Sequence, residues 1–335
     1  MEHRRLGRSG LKVSKLCLGA MTFGDSPGFM KGVTSSDADG RKVLDRSIEA
    51  GIDFIDTANV YSDGNSERLL GEWLGAKRKD LIIATKCRFT MGSTVHDLGL
   101  SRRHIIQACE DSLKRLRSEW IDLYQVHMQD GEVEIEETLR ALDDLTRAGK
   151  IRYSGCSNFT GYRLTESLWI ADKRNLHRFE SVQLQWNLIE RGAEREVIPT
   201  CRAFGLGVMV WSPLARGMLS GKYKKDMAPP TGSRLAEWKD TFKKVNNDRS
   251  WAMLDTLAAV AKEADATVPA VALAWLLHKP EVTSVILGAR DLTQLEDNLK
   301  AANLKLTAAQ VETLDKASAP DWAYPYDFIG GRERW

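Results

Sequence analysis

A chain of 335 residues, 43% of them hydrophobic, can bury a sizeable core as one large α/β domain or two smaller ones. Its 48 basic residues against 46 acidic ones leave a net charge of +2, which excludes a global field that recruits nucleic acid or an anionic membrane. Five scattered cysteines without CxxC spacing, no signal-peptide core, and a longest apolar stretch ("VPAVALAWLL") too short for a bilayer lead us to expect free thiols and a cytoplasmic protein.

The chain opens with "RRLGRSGLKVS", alternating around a Gly/Ser turn, which predicts a short β-hairpin. Apolar, β-branched runs then alternate with helix-period segments. "LCLGA" precedes a helix over 37–50 that the cap signal "SSDADG" starts, and "DFIDT" precedes one over 66–74. "LIIATK" is followed by 102–117, and "IDLYQVH" by 135–148, which "AGK" stops. "IRYSGCSN" leads to 162–174, "SVQLQWN" to 194–204, "GVMVWS" to the pair 247–264 and 268–278, and "TSVILGA" to 292–301.

Near-continuous apolar strands that alternate strictly with helices imply a parallel sheet covered on its outer side. Eight such units predict an α/β fold of the (β/α)8 TIM-barrel class with an N-terminal hairpin, as one domain over 1–335. The competing doubly wound sheet would carry GxGxxG after its first strand, where this chain has "GAMTFG". Two irregular stretches interrupt the rhythm. Residues 212–234, after the seventh strand, read as a lid, and the tail after Pro320 ("DWAYPYDFIGGRERW") is dense in aromatics.

In such a barrel the strand C-termini and the loops after them form the face that carries active sites. Asp56 closes the second strand and Tyr61 lies just beyond it; Lys86 closes the third and His127 the fourth. Alone, each has an ordinary structural reading: a cap, a half-buried aromatic, a solvated lysine, a structural histidine. Together, at equivalent strand ends about 4.8 Å apart, they suit carbonyl reduction. The oxygen that becomes an alkoxide needs an acid, which Tyr61 can supply. A nearby Lys86 ammonium is expected to lower the phenol pKa, Asp56 to keep that lysine charged, and His127 to fix the carbonyl oxygen.

With these residues in view, the chain resembles the aldo-keto reductases over essentially its whole length. "GIDFIDTANVYSDGNSERLLGEWL" looks like that family's signature around its acid and tyrosine, "IIATK" like its lysine strand, and "GKIRYSGCSNF" like its fifth strand. The resemblance implies a catalytic tetrad of Asp56, Tyr61, Lys86 and His127, and a nicotinamide cofactor, NADPH in preference to NADH. It assigns Ser157, Asn158 and Gln183 to the carboxamide, and Trp211 to the face of the ring. "WSPLARGMLSGKY" is similar to the pyrophosphate loop of a long-loop branch that includes bacterial reductases and potassium-channel β subunits. By that likeness Ser212, Leu214 and Gly217, with Lys222 and Arg234, hold the phosphates, while Lys224 and Lys225 read as solvated. Gly288, Arg290, Gln294, Asp297 and Asn298 are assigned to the adenosine end.

The chain departs from well-known members there. Gly288-Ala289 stands where they have a Lys-Ser pair and Gln294 where they have an arginine, which leaves Arg290 to meet the 2′-phosphate. Met21, Phe23, Arg88, Phe89 and Met128 are expected to line the substrate pocket, with Trp322, Tyr324 and Tyr326 either covering it or packing outside the barrel. The leading expectation is an NADPH-dependent reductase of small aldehydes or ketones, with no metal, nucleic-acid or membrane partner. Two alternatives stand beside it: an NAD(P)-dependent dehydrogenase of sugars or polyols, and a nucleotide-binding regulatory subunit like the channel β subunits. The substrate, the direction and any homo-oligomer are not legible in the sequence.

Overall fold

The computed structural model describes residues 1–25, 30 and 32–330. Strands β1 (His3–Arg5) and β2 (Lys12–Ser14) pair antiparallel as the expected hairpin. Eight further strands follow: β3 (Leu16–Gly19), β4 (Phe54–Asp56), β5 (Ile82–Cys87), β6 (Ile121–Val126), β7 (Ile151–Ser157), β8 (Phe179–Gln185), β9 (Gly207–Trp211) and β10 (Val282–Leu287). They close in the order β10-β3-β4-β5-β6-β7-β8-β9 with every neighbouring pair parallel. The fold is therefore the expected (β/α)8 barrel.

Alternation along the strands sorts the core into two layers. Outward residues such as Leu18, Ile55, Ile83, Tyr124 and Val182 join the helices in one large cluster. Inward residues Cys17, Phe54, Ala84, Leu123, Met209 and Ile286 form a second cluster, to which Leu6 and Val13 of the hairpin segment belong. The hairpin thereby adds apolar packing to the barrel interior. Further toward the strand C-termini the inward positions turn polar: Asp56, Lys86, Gln125, Ser157 and Gln183, all buried. Lys86 stands opposite Gln125, Gln125 opposite Gly155, and Ser157 opposite Gln183. Gly155 has to stay small, since a Cβ there would lie 2.7 Å from Ser181 Oγ and 3.3 Å from Gln125 Cγ.

The helices start where side chains meet orphan backbone N–H groups. Ser36 accepts from Asp39 N, Ser101 from His104 N, Asn247 from Ser250 N and Asp291 from Gln294 N. Four helices fall outside the sequence expectation: Arg234–Glu237, Lys239–Val245, Ala308–Ala317 and Tyr326–Gly330. Residues Gly192–Glu194 form a 3-10 turn, so the helix expected from 194 begins at Val197. Within the long stretch 212–234, Ala215, Met218, Leu219 and Tyr223 are buried, so its first half is anchored to the barrel. In the tail, Tyr326 donates a short hydrogen bond to Glu196 and lies under the Arg195 guanidinium. Tyr324 is 81% exposed and covers nothing, contrary to the covering reading. Residues 331–335 lie outside the described residues. All five cysteines are buried and free, and no helix of the described residues is long and apolar enough to cross a membrane.

Candidate active site

Asp56 ends β4, and its carboxylate is met from three sides. Oδ2 accepts from Lys86 Nζ at 2.6 Å, while Oδ1 accepts from Gln183 Nε2 at 2.8 Å and Gln125 Nε2 at 3.2 Å. Lys86, with no exposed surface, also donates to the Thr57 carbonyl at 2.7 Å and to the Tyr61 hydroxyl at 3.3 Å. Burial alone would drive such a lysine to give up its proton; Asp56 first, and then Tyr61, outweigh it and hold the ammonium above its ordinary value.

Tyr61 is delivered by a tight turn. Ser62 (φ 47), Asp63 (φ 53) and Gly64 (φ 84) are consecutively left-handed, and Ser62 Oγ anchors the turn on the Phe23 and Gly24 carbonyls. The phenol is tuned otherwise than expected. Burial raises its pKa, the nearby Lys86 pulls the other way, and the net shift is upward. The pull of Lys86 has the expected direction, but burial outweighs it, and Tyr61 keeps its proton at neutral pH.

His127, immediately after β6, is fixed by its backbone N–H on the Cys87 carbonyl at 2.9 Å. Its ring meets Tyr61 edge-on at 5.7 Å and Phe89 at 4.8 Å. Burial, then Lys86 and Arg88, push its pKa well below the usual histidine range, so the ring is neutral at pH 7. Nδ1 is buried without a hydrogen-bond partner.

The cofactor assignments meet a mixed geometry. Ser157 is buried at the end of β7. The Asn158 amide, on left-handed backbone (φ 55), donates to the His127 carbonyl at 2.9 Å and to Ser157 Oγ, and accepts from Trp211 Nε1 at 3.2 Å. Gln183 donates to Asp56, so both amides have partners inside the protein. Trp211 is half-buried beneath the Arg216 guanidinium. Ser212 Oγ accepts from Arg216 N, and the Leu214 carbonyl accepts from Gly217 and Leu219 N. Gly217 (φ 98) bends the chain so that Lys222 Nζ and Tyr223 OH each lie 3.6 Å from where its Cβ would be.

Lys222, Arg234 and Arg290 form a cluster of like charge. Burial, then Arg290 and Arg234, lower Lys222, and burial, then Arg290, pull Arg234 down to about 10. No carboxylate pairs with any of the three among the described residues; the Arg290 guanidinium donates to the Gly232 carbonyl. Beside them Tyr223 OH and Ser233 Oγ are buried without hydrogen-bond partners. Uncompensated cations next to orphaned hydroxyls fit an anionic, phosphate-bearing group. Gly288 is exposed and would tolerate a Cβ without contact. Gln294 is taken up by Asp291 and the Arg290 backbone, Asp297 by Lys300, and buried Asn298 by the Gly288 carbonyl.

Of the pocket residues, Met21, Arg88, Phe89 and Met128 are half-buried. Phe23 is fully buried with its ring 5.6 Å from Trp73, so its expected place in the pocket wall is overturned: it belongs to the core. Sequence reasoning missed Gln125, Tyr223 and Ser233. A glutamine inside the apolar run "IDLYQVH" is a signal for the first; Tyr223 and Ser233 directly neighbour Lys222 and Arg234 in the chain and carry no signal of their own.

Comparison with known proteins identifies the family. The profile of the Aldo/keto reductase family matches residues 15–319. The "Uncharacterized oxidoreductase YrpG" of Bacillus subtilis is 37% identical over 317 residues, covering 91% of this chain and 92% of that protein. A fission-yeast protein named "Putative aryl-alcohol dehydrogenase" (Schizosaccharomyces pombe) is 35% identical, with 94% and 95% covered. A rice protein named "Probable voltage-gated potassium channel subunit beta" is 34% identical, with 95% and 96% covered. With a closed (β/α)8 barrel and a family match over nearly its whole length, this chain belongs to the aldo/keto reductase family, and its general role is that of an oxidoreductase.

Proposed function

We propose that the protein reduces small aldehydes or ketones to alcohols with NADPH. The observation that carries this reading is the buried Lys86 ammonium, which bridges Asp56 at 2.6 Å and the Tyr61 hydroxyl at 3.3 Å. A bound nicotinamide would supply the hydride. The chain's own residues do the rest. Neutral His127 orients the carbonyl oxygen, and Tyr61 gives its proton to that oxygen as negative charge builds. Lys86 then stabilises the phenolate left behind, and Asp56, with Gln125 and Gln183, keeps Lys86 charged and in place. Lys222, Arg234 and Arg290 would hold the cofactor's phosphates, with Tyr223 and Ser233 adding hydroxyl donors; Ser157, Asn158 and Trp211 would meet its ring. The same groups run in reverse as an alcohol dehydrogenase when Tyr61 acts as base, so direction follows the substrate supply.

A second reading is a nucleotide-binding regulatory subunit, favoured by the similarity to the rice protein named as a channel β subunit. A panel of aldehydes, ketones, sugars and alcohols assayed with NADPH and NADH separates the two. Reduction of aldehydes with NADPH at ordinary enzymatic turnover is the expected result. Saturable NADPH binding with no turnover on any member would discard the reductase reading for the regulatory one.

A further inference from the structure

Arg88 stands at the barrel mouth with a chemistry that the reduction mechanism leaves unused. It follows Lys86 by two residues, just past the end of β5. Its Nε is buried without a hydrogen-bond partner, and its guanidinium pairs with no carboxylate or carbonyl among the described residues. The guanidinium carbon lies over the Phe89 ring at 5.5 Å, and Phe89 in turn packs 4.8 Å from His127. Its backbone stands at φ 140, a conformation that a residue with a side chain rarely adopts, and the Gly99 N–H holds its carbonyl there at 2.8 Å. Such strain persists where the surroundings enforce it, and it concentrates at ligand sites.

Topology decides which ligand this cation faces. Around the closed barrel, β5 and β9 stand four positions apart among eight strands, on opposite walls. The cations assigned to the cofactor's phosphates, Lys222, Arg234 and Arg290, all follow β9 and β10. Arg88 leaves the far wall, beside the histidine that receives the carbonyl oxygen. An unpaired guanidinium offers a planar fork that carboxylate or phosphate oxygens match in bidentate fashion, and partial burial strengthens the pairing.

We propose that Arg88 sets substrate specificity by pairing with an anionic group, a carboxylate or phosphate, carried on the carbonyl compound. The assignment rests on the reductase reading and names its substrate class. Lys86 cannot take this role, because its charge is already compensated by Asp56. Bringing an anion to Arg88 would neutralise a cation that now stands without counter-charge next to His127.

The test compares aldehydes that differ in charge: 4-carboxybenzaldehyde against its methyl ester, and succinic semialdehyde against butanal, each with NADPH. In at least one pair the native enzyme should favour the charged member by about 10-fold or more in kcat/KM, chiefly through KM. Arg88→Ala should cut kcat/KM for that charged aldehyde by roughly 10- to 100-fold and for its neutral partner by less than about 3-fold, with Arg88→Lys in between. Equal losses on charged and neutral members would make Arg88 a merely structural residue and overturn the assignment. So would neutral aldehydes reduced well with no preference for charge in either pair, which would leave the reductase reading standing. Turnover of no aldehyde at all would overturn that reading and this assignment with it.

Discussion

The two halves of the barrel mouth are built on opposite electrostatic plans. On the side of β4 to β6 the proton-delivering group answers its own charges: Asp56 receives Lys86, Gln125 and Gln183, and Lys86 is shared between Asp56, the Thr57 carbonyl and Tyr61. Beyond β9 and β10 the reverse holds. Lys222, Arg234 and Arg290 repel one another with no acidic partner among the described residues, and two buried hydroxyls beside them lack hydrogen bonds. The Asp56–Lys86–Tyr61 group is compensated from within, as a preorganised proton donor has to be. The second region is an incomplete structure that an anion would finish.

That contrast can be broken in order of expected effect. Lys86→Met should lower turnover on any aldehyde by about 10²- to 10⁴-fold while leaving NADPH affinity near native, since Tyr61 loses the cation that favours its phenolate; parallel kinetics and cofactor titration check both halves of the statement. Asp56→Asn strands the Lys86 ammonium in the interior and should cost about 3–5 kcal/mol of folding stability, read from denaturant unfolding with an unchanged m-value. Arg234→Ala should act with opposite signs. Without cofactor it should melt no lower than native, because a repelled cation has gone, yet it should bind NADPH roughly 10-fold more weakly. Arg290→Ala should reduce the preference for NADPH over NADH without touching NADH kinetics, because Arg290 is the cation assigned to the 2′-phosphate.

The smallest effect is a pH profile. His127 protonates only well below the usual 6.5, so lowering the pH from 8 to 6 should add no limb from that residue. Reduction needs the Tyr61 proton, and the phenol's pKa lies above its ordinary 10, so the rate should fall only as pH rises beyond 10. A kcat/KM for aldehyde that already declines between pH 7 and 9 would contradict the upward shift of Tyr61.

Much of this organisation was legible before any coordinates. Strand and helix periods follow directly from which residues face the two core layers, so the eight barrel units could be counted from apolar alternation alone. Asp56, Tyr61, Lys86 and His127 stood out because they fall at strand ends. What escaped notice had weak or competing signals. The segment "RLAEWKDTFKKV" forms helices with only Leu235 fully buried, so it carries hardly any apolar stripe to find. By contrast, Ala308–Ala317 was findable, since Thr307 and Gln310 form a capping box. Phe23 looked like pocket wall because it follows β3, yet Trp73 and Gly40 draw it into the core. The direction of the Tyr61 shift is a balance between burial and a nearby charge, and residue types alone do not set that balance. Asn158 and Gln183 suggest reach toward a cofactor, but residue types do not reveal that the His127 carbonyl and Asp56 accept from their amides within the protein.

The central claim is that Tyr61, poised by Lys86 and Asp56, delivers the proton in carbonyl reduction. Single-turnover oxidation of enzyme-bound NADPH by a good aldehyde substrate, compared between the native protein and Tyr61→Phe, tests it most directly. The account predicts a loss of about 10²- to 10⁴-fold in the hydride-transfer step with NADPH binding preserved. A Tyr61→Phe protein that oxidises bound NADPH at the native rate would contradict it.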